Sequence, residues 1–219
     1  MKLRVQVAST PAEVLRCQYL IAEVYNKEYE VVFSTDRYDL EAKIEPWPHR
    51  YFMVLDGAEL AATLGLYQRQ TYVERFGGVA REDIERELEA AGVKGGYDSS
   101  NLREVTKIVV SPAYRGRGLA RLMVGCAHSR SFLSDGGDEQ PLVVFCAKRS
   151  IAEKVHQAAG LRPRRVKPFP YYKVHELYRS ADDPMDSYLI IPHLDVPARW
   201  YDLALPSDCD TNLMREEGA

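Results

Sequence analysis

The segment from Ile108 to Ala120 constrains the fold most strongly, because it joins a strand to a helix through a short glycine-bearing loop. The apolar run ends at Val110, and the proline two residues later cannot continue a strand. Gly116 and Gly118 remove side chains, so that backbone N–H groups can approach an anion closely. The N-terminus of the following helix adds a partial positive charge. The sequence therefore predicts an anion site, with phosphate or pyrophosphate as its natural ligand.

Two arginines support this interpretation of the loop. Arg115 and Arg117 place formal positive charge beside the glycines, where charge-assisted hydrogen bonds can hold a phosphate. The alternative is a glycine-rich helix start that carries two solvated arginines. A Walker loop is excluded because no Gly-Lys-Ser/Thr follows, and the spacing of a Rossmann loop is absent as well.

The periodicity of apolar residues predicts an α/β domain with a mixed sheet, because strands and helices alternate along much of the chain. The predicted strands cover residues 2–8, 51–55, 59–68, 101–110, 142–147 and 186–191, and the predicted helices cover 11–29, 81–91, 116–133 and 151–159. Thr10 and Glu13 form a capping box for the first helix, and Asp56-Gly57 predicts a hairpin turn. Residues 33–49, around Pro46-Trp47-Pro48, are predicted to lack regular structure.

The chain has 219 residues, of which 46% are hydrophobic and 28% charged, so a large core is expected and global disorder is excluded. We predict one domain over residues 1–205, followed by a polar and loose tail at 206–219. Glycines on both sides of the charged helix at 81–91 favour a mobile insertion at about 77–100.

Charge and cysteine usage exclude several classes of protein. The formal net charge of −3 disfavours binding to a nucleic-acid backbone, and the longest apolar runs are too short to span a membrane. The first residues alternate in character and do not form the core of a signal peptide, so we expect a cytoplasmic protein. The histidines are scattered, and no metal site is predicted. The cysteines show no metal-ligand or redox spacing and are interpreted as buried small hydrophobes: Cys17, Cys126, Cys146 and Cys209.

The loop and its flanking strand resemble the GCN5-related N-acyltransferase (GNAT) superfamily. The signature of that superfamily is an Arg/Gln-x-x-Gly-x-Gly/Ala loop after a strand that ends in a Val-x-Pro step. Here Arg115, Gly118 and Ala120 occupy the loop positions, after Val110-Ser111-Pro112. The resemblance covers about residues 50–165, and Leu161 stands where the family has phenylalanine after a glycine.

This resemblance implies a GNAT fold, in which two strands splay apart at the site of an acyl thioester donor. The pyrophosphate of coenzyme A would lie on the loop, and the pantetheine arm would run along the backbone of the preceding strand. The mechanism implied is direct attack of a primary amine on the thioester. The residues implied in binding acetyl-CoA or another acyl-CoA are Ile108, Val109, Val110, Arg115, Gly116, Arg117, Gly118, Leu119 and Ala120.

Two residues are candidates for proton transfer in such a reaction. Glu104, on the strand that approaches the acyl site, would accept the amine proton directly or through a water. The alternative is a strand-surface glutamate paired with Lys107 or Arg103. His156 stands where many family members have a tyrosine that protonates the leaving thiolate, and imidazole can serve as such an acid. The alternative for His156 is a helix residue half-exposed to solvent.

The N-terminal third is similar, more narrowly, to autoinducer synthases and N-acyl amino acid synthases. Residues 20–29, the pair Asp36 and Asp39, and the stretch Glu104-x-Thr106-Lys107 carry this likeness. The aspartates would bind an ammonium group of the acceptor, or they form a solvated turn. Ile21 and Leu64 replace arginines that those synthases usually keep, so a homoserine-lactone product is not expected.

The resemblance implies an N-acyltransferase that moves an acyl group, with acetyl favoured, from acyl-CoA to a small primary amine. One alternative is an N-acyl amino acid synthase-like enzyme that takes long chains from acyl carrier protein, which the basic residues 162–167 would contact. Another alternative is a non-catalytic acyl-CoA sensor. A monomer or a homodimer is expected, without metal, nucleic acid or a membrane span.

Overall fold

An eight-stranded mixed sheet organises the chain, with the strand order β10-β1-β4-β5-β6-β7-β9-β8. The computed structural model describes residues 2–29, 32–34, 44–68, 71–75, 78–94, 98–134, 140–169 and 183–210. The strands are β1 Lys2–Val7, β2 Val32–Ser34, β3 Ile44–Pro46, β4 Arg50–Asp56, β5 Glu59–Tyr67, β6 Leu102–Val110, β7 Leu142–Lys148, β8 Arg164–Pro168, β9 Met185–Ile190 and β10 Ser207–Asp210. Strands β2 and β3 form a separate parallel pair.

The helices are mostly short, and the two longest, α1 and α3, have 19 and 10 residues. Their bounds are α1 Pro11–Tyr29, α2 Tyr72–Arg75, α3 Arg81–Ala90, α4 Leu119–Ala127, α5 Arg130–Leu133, α6 Arg149–Ile151, α7 Pro192–Asp195 and α8 Ala198–Tyr201. A π-helical turn at Ala152–His156 and a 3-10 turn at Gln157–Ala159 extend α6.

The first helix begins where the capping residues predict. The Glu13 backbone N–H donates to Thr10 Oγ1 at 3.2 Å, and the Thr10 N–H donates to Glu13 Oε2 at 3.1 Å. The backbone N–H of Ser9 donates to the same carboxylate, and these hydrogen bonds lower the pKa of Glu13 to about 2. The predicted capping box is confirmed, and it fixes the start of α1 beside the end of β1.

Helices pack on both faces of the sheet, which confirms the predicted architecture. On one face α4 covers a core that includes Phe52, Leu64 and Val143. Because side chains alternate along a strand, the residues next to these in sequence point to the opposite face. There α1 packs through Ile21, and α3 packs through Ile84 and its neighbour Leu88. The helix within the predicted insertion therefore packs against the sheet through these two side chains.

One pair of strands separates partway along its length. Strands β6 and β7 are parallel, and their ladder runs only from Leu102–Leu142 to Glu104–Val144. The pairings of β6 with β5 and of β7 with β9 are antiparallel, and their ladders extend over more residues. The predicted splay between these strands is confirmed, and it opens the middle of the sheet.

Several predicted boundaries were wrong. The helix predicted at 116–133 begins at Leu119, because Gly118 adopts the left-handed conformation with φ 79° and ends the loop. The same helix breaks at His128, and α5 follows separately. Residues 44–46 form β3 within a stretch predicted to be irregular, and residues 207–210 form β10 within the predicted loose tail. Strand β10 pairs with β1 through backbone hydrogen bonds, which a polar sequence does not reveal.

Candidate active site

A cavity of about 620 Å³ lies where β6 and β7 separate, between the N-terminus of α4 and the C-terminal half of α1. Its lining comes from the loop before α4, from both strands and from α1. The loop and helix residues among them are Tyr114, Arg115, Gly116, Gly118, Leu119 and Ala120, and the strand residues include Glu104–Val110 and Phe145–Lys148. The predicted anion loop and the predicted acyl site therefore share one cavity.

The loop before α4 has the left-handed backbone that glycine permits. Gly116 and Gly118 have φ values of 76° and 79°, and a side chain at either position would strain the backbone. Tyr114 anchors the start of the loop, because its hydroxyl donates to Glu59 Oε2 at 2.8 Å. The helix N-terminus is thereby held against the cavity, in the orientation that favours an anion.

The structure separates the two arginines of the loop. Arg115 lines the cavity, forms an ion pair with Glu28 of α1 and donates from Nε to the Val110 carbonyl at 3.4 Å. Arg117 is exposed and is not among the lining residues, and its guanidinium lies 5.1 Å from the centroid of the Tyr114 ring. Arg115 therefore lines the cavity and Arg117 does not, and donor binding by either arginine stays a prediction.

The strand edge predicted to receive the donor lies along the cavity. Ile108, Val109 and Val110 all line it, beyond the point where the ladder to β7 ends at Glu104. The side chain of Val109 is buried in the cluster that packs against α1. An unpaired strand edge offers N–H and C=O groups to an extended ligand.

Glu104 lies at the inner end of the cavity and is only 2% exposed. Its Oε2 accepts a hydrogen bond of 3.1 Å from the backbone N–H of Val73, at the start of α2. Arg103 points elsewhere, because its guanidinium donates to the carbonyls of Ser100 and Leu133. The interpretation of Glu104 as a strand-surface residue is therefore wrong, and the carboxylate faces the interior of the site.

His156 also lines the cavity. The ring is 2% exposed and stacks on Phe145 with 4.2 Å between centroids. Burial, the larger cause, and the buried ring of His128, 6.2 Å away, together lower the pKa of His156 to about 3. The histidine is not a half-exposed helix residue, and its ring is neutral at neutral pH. The predicted role of His156 as proton donor to the leaving thiolate stays a prediction.

The sequence interpretation gave no site role to Lys107, which also lines the cavity. Its Nζ lies 5.2 Å from the centroid of the Tyr25 ring, and burial lowers the pKa of the amine to about 8. Burial has the opposite effect on the pKa of the neighbouring Cys146 thiol, which it raises to about 12. A lysine within an apolar strand was the available signal, but its position in the cavity depends on tertiary structure.

Two further groups of predicted residues remain. Asp36 and Asp39 lie outside the described residues. Within the basic run, Arg164 pairs with Asp195 at 2.8 Å and Arg165 pairs with Asp186 at 2.7 Å. These arginines therefore already have carboxylate partners within the fold.

Two further observations concern the described part of the chain alone. None of its helices is long and apolar enough to cross a bilayer. Its His, Cys, Asp and Glu side chains do not gather into a group of three that could hold a metal ion.

The fold resembles that of known acyltransferases. The model of the acetyltransferase (GNAT) family matches residues 19–127, and no curated protein matches the chain. A solved structure of BjaI, a CoA-dependent acyl-homoserine lactone synthase with SAM and isopentyl-CoA, is 14% identical, with 91% of this chain and 86% of that chain covered and a TM-score of 0.56. The acyl-homoserine lactone synthase LasI is 12% identical, with coverages of 94% and 97% and a TM-score of 0.57.

A polyamine enzyme has the same fold. The spermidine/spermine N-acetyltransferase SpeG from Vibrio cholerae is 12% identical, with 88% of this chain and 95% of that chain covered and a TM-score of 0.52. At these sequence identities the solved structures show a shared fold only, and the assignment to a family rests on the match to the family model. The chain therefore belongs to the acetyltransferase (GNAT) family and is an N-acyltransferase.

Proposed function

We propose that the protein transfers an acyl group, with acetyl favoured, from acyl-CoA to the primary amine of a small molecule. The observation that carries this proposal is the single cavity, because it joins an anion-binding loop, an unpaired strand edge and a buried carboxylate. A donor with a pyrophosphate, an amide-bearing arm and a thioester matches these three parts in that order.

The donor would enter at the loop. Its pyrophosphate would accept hydrogen bonds from the N-terminus of α4, and Arg115 would exchange Glu28 for a phosphate oxygen. The pantetheine amides would pair with the backbone of Ile108–Val110, which no longer pairs with β7. The thioester would then lie near residues 104–107, at the inner end of the cavity.

The transfer step requires that a proton leave the amine. Glu104 would accept it, directly or through one water, because its carboxylate faces the inner cavity and is held by the Val73 N–H. A backbone N–H of β6 would stabilise the oxyanion as the amine nitrogen bonds to the carbonyl carbon. The carbon–sulfur bond then breaks, and the proton held by Glu104 would pass to the sulfur, directly or through water, so that coenzyme A leaves as its thiol. The neutral ring of His156 would line the site and could form a hydrogen bond with the donor or the acceptor.

The ion pairs of the basic run weaken the alternative of an acyl-carrier donor. Arg164 and Arg165 would have to leave Asp195 and Asp186, which are almost fully buried, before they could contact an acidic carrier surface. Coenzyme A requires only that Arg115 leave Glu28, an ion pair whose two side chains are 47% and 33% exposed.

The direct test is an acyl-transfer assay that follows free thiol from acetyl-CoA in the presence of a panel of primary amines. The proposal predicts thiol release that depends on the amine, together with a mass-verified N-acetyl product. An acyl-CoA sensor would bind the donor without release of thiol, and an enzyme specific for carrier protein would respond only to acylated carrier. Either result would overturn the proposal.

A further inference from the structure

Lys107 occupies an irregular position in an otherwise regular strand. Thr63 pairs with Val109 and Gly65 with Thr106, so two residues of β6 oppose one residue of β5. Among the described residues, Lys107 is the one non-glycine residue with a positive φ, 52°. Such a β-bulge changes the direction of a side chain relative to its neighbours. At this bulge the amine of Lys107 is directed toward α1 and the cavity.

The surroundings of the amine favour its nucleophilic form. Its Nζ lies against the ring of Tyr25, and the pKa of the amine is lowered to about 8 because burial disfavours the charged form. A substantial fraction of the amine is therefore neutral slightly above neutral pH, and the neutral amine is the nucleophile. Cys146 lines the same cavity but is poorly nucleophilic, since its pKa is raised to about 12.

The position of Lys107 along the strand matters as much as its chemistry. If the pantetheine arm lies along Ile108–Val110, the thioester carbonyl lies next to the residue that precedes them, which is Lys107. Lys148 offers a comparison within the same cavity, because it ends the regular strand β7. Both lysines line the cavity, but only Lys107 lies on the strand that is proposed to bind the donor arm.

We propose that Lys107 is a site of self-acylation, which takes the acyl group from the bound acyl-CoA when no amine acceptor is present. The inference rests on the proposed donor site. The amine nitrogen bonds to the thioester carbonyl carbon, the carbon–sulfur bond breaks, and one amine proton leaves with coenzyme A as its free thiol. The product is an amide, which removes a positive charge from the inner cavity and occupies space where an acceptor would bind.

The test is to incubate the full-length protein with acetyl-CoA, without an amine, and to follow its intact mass and its peptides over time. We expect one acetyl mass to appear, with the peptide containing Lys107 acetylated at least tenfold faster than the peptide containing Lys148. Lys107→Arg retains a positive charge without a comparable nucleophile and should abolish the fast phase. Lys94→Arg, at an exposed lysine outside the cavity lining, is the matched control and should leave the fast phase unchanged.

Two results would overturn the inference, and they affect the proposed function differently. If coenzyme A raises the melting temperature but Lys107 is acetylated no faster than Lys148, self-acylation fails while the donor site stands. If coenzyme A does not raise the melting temperature and no acetyl mass appears, both the inference and the proposed donor site fail. Lys107→Arg should still show the coenzyme A shift, which separates loss of labelling from loss of folding.

Discussion

The two ends of the cavity are built in different ways. At the loop end, residues 115–120 are adjacent in sequence and act through backbone conformation and exposed formal charge. At the inner end, Glu104 and Lys107 come from β6, Cys146 from β7 and His156 from the turn after α6. Adjacent residues can therefore define an anion loop, whereas tertiary packing is needed to assemble the chemical centre.

Burial gives the inner end a common electrostatic character. It lowers the pKa of Lys107 to about 8 and that of His156 to about 3, and it raises that of Cys146 to about 12. Each shift favours the neutral form, as expected where water is excluded. Substitutions at the inner end should therefore change turnover, and substitutions at the loop end should change donor affinity.

The largest expected effect is at the inner end. Glu104→Gln keeps the shape of the side chain but removes the proton acceptor, so we expect kcat to fall about 10²- to 10⁴-fold. The Kd for coenzyme A, measured by calorimetry, should change little. Glu82→Gln, on the exposed face of α3, is the control and should behave like the wild type. A fall in affinity with unchanged kcat would place Glu104 among the donor contacts.

The next effect distinguishes two arginines of one loop. Arg115→Ala should weaken coenzyme A binding about 10-fold, the lower part of the range for hydrogen bonds to a charged group, because the side chain is 47% exposed. Arg117→Ala should change the Kd less than about 3-fold, because the guanidinium lies outside the cavity. Equal losses in the two variants would show that the pyrophosphate lies on the outer side of the loop.

A smaller effect concerns the dependence of stability on pH. His156 has a folded pKa of about 3, below the unfolded value of about 6.5, so the unfolded state binds more protons as the pH falls below 6.5. Stability should therefore fall from pH 6.5 to pH 5, with His156 contributing up to about 1.4 kcal/mol per pH unit. His156→Gln should flatten this slope in urea unfolding, whereas His193→Gln, on an exposed side chain, should not. Identical slopes would mean that the pKa of His156 is not lowered.

Much of the fold could be predicted because its signals are local. The capping residues of α1, the hairpin at Asp56-Gly57 and the apolar strand β7 each depend on a few neighbouring side chains. The edge strands β8 and β10 could not be predicted, since they are held by backbone pairing with β9 and β1.

The candidate site likewise combines local features that the sequence predicts with tertiary features that it does not predict. Gly116 and Gly118 are recognisable because their backbone conformation demands glycine. The bulge at Lys107 depends on the register between β5 and β6, and the neutral state of His156 depends on complete burial beside His128. Neither register nor burial depth can be derived from residue spacing alone.

The central claim, that this cavity binds coenzyme A, is tested most directly by thermal unfolding with and without the ligand. At 100 times its Kd, coenzyme A should stabilise the protein by about 2.7 kcal/mol, which for a chain of this size raises the Tm by roughly 5–10 °C. We expect this shift in Tm for the wild type and a clearly smaller shift for Arg115→Ala at the same ligand concentration. An unchanged Tm for the wild type at saturating coenzyme A would contradict it.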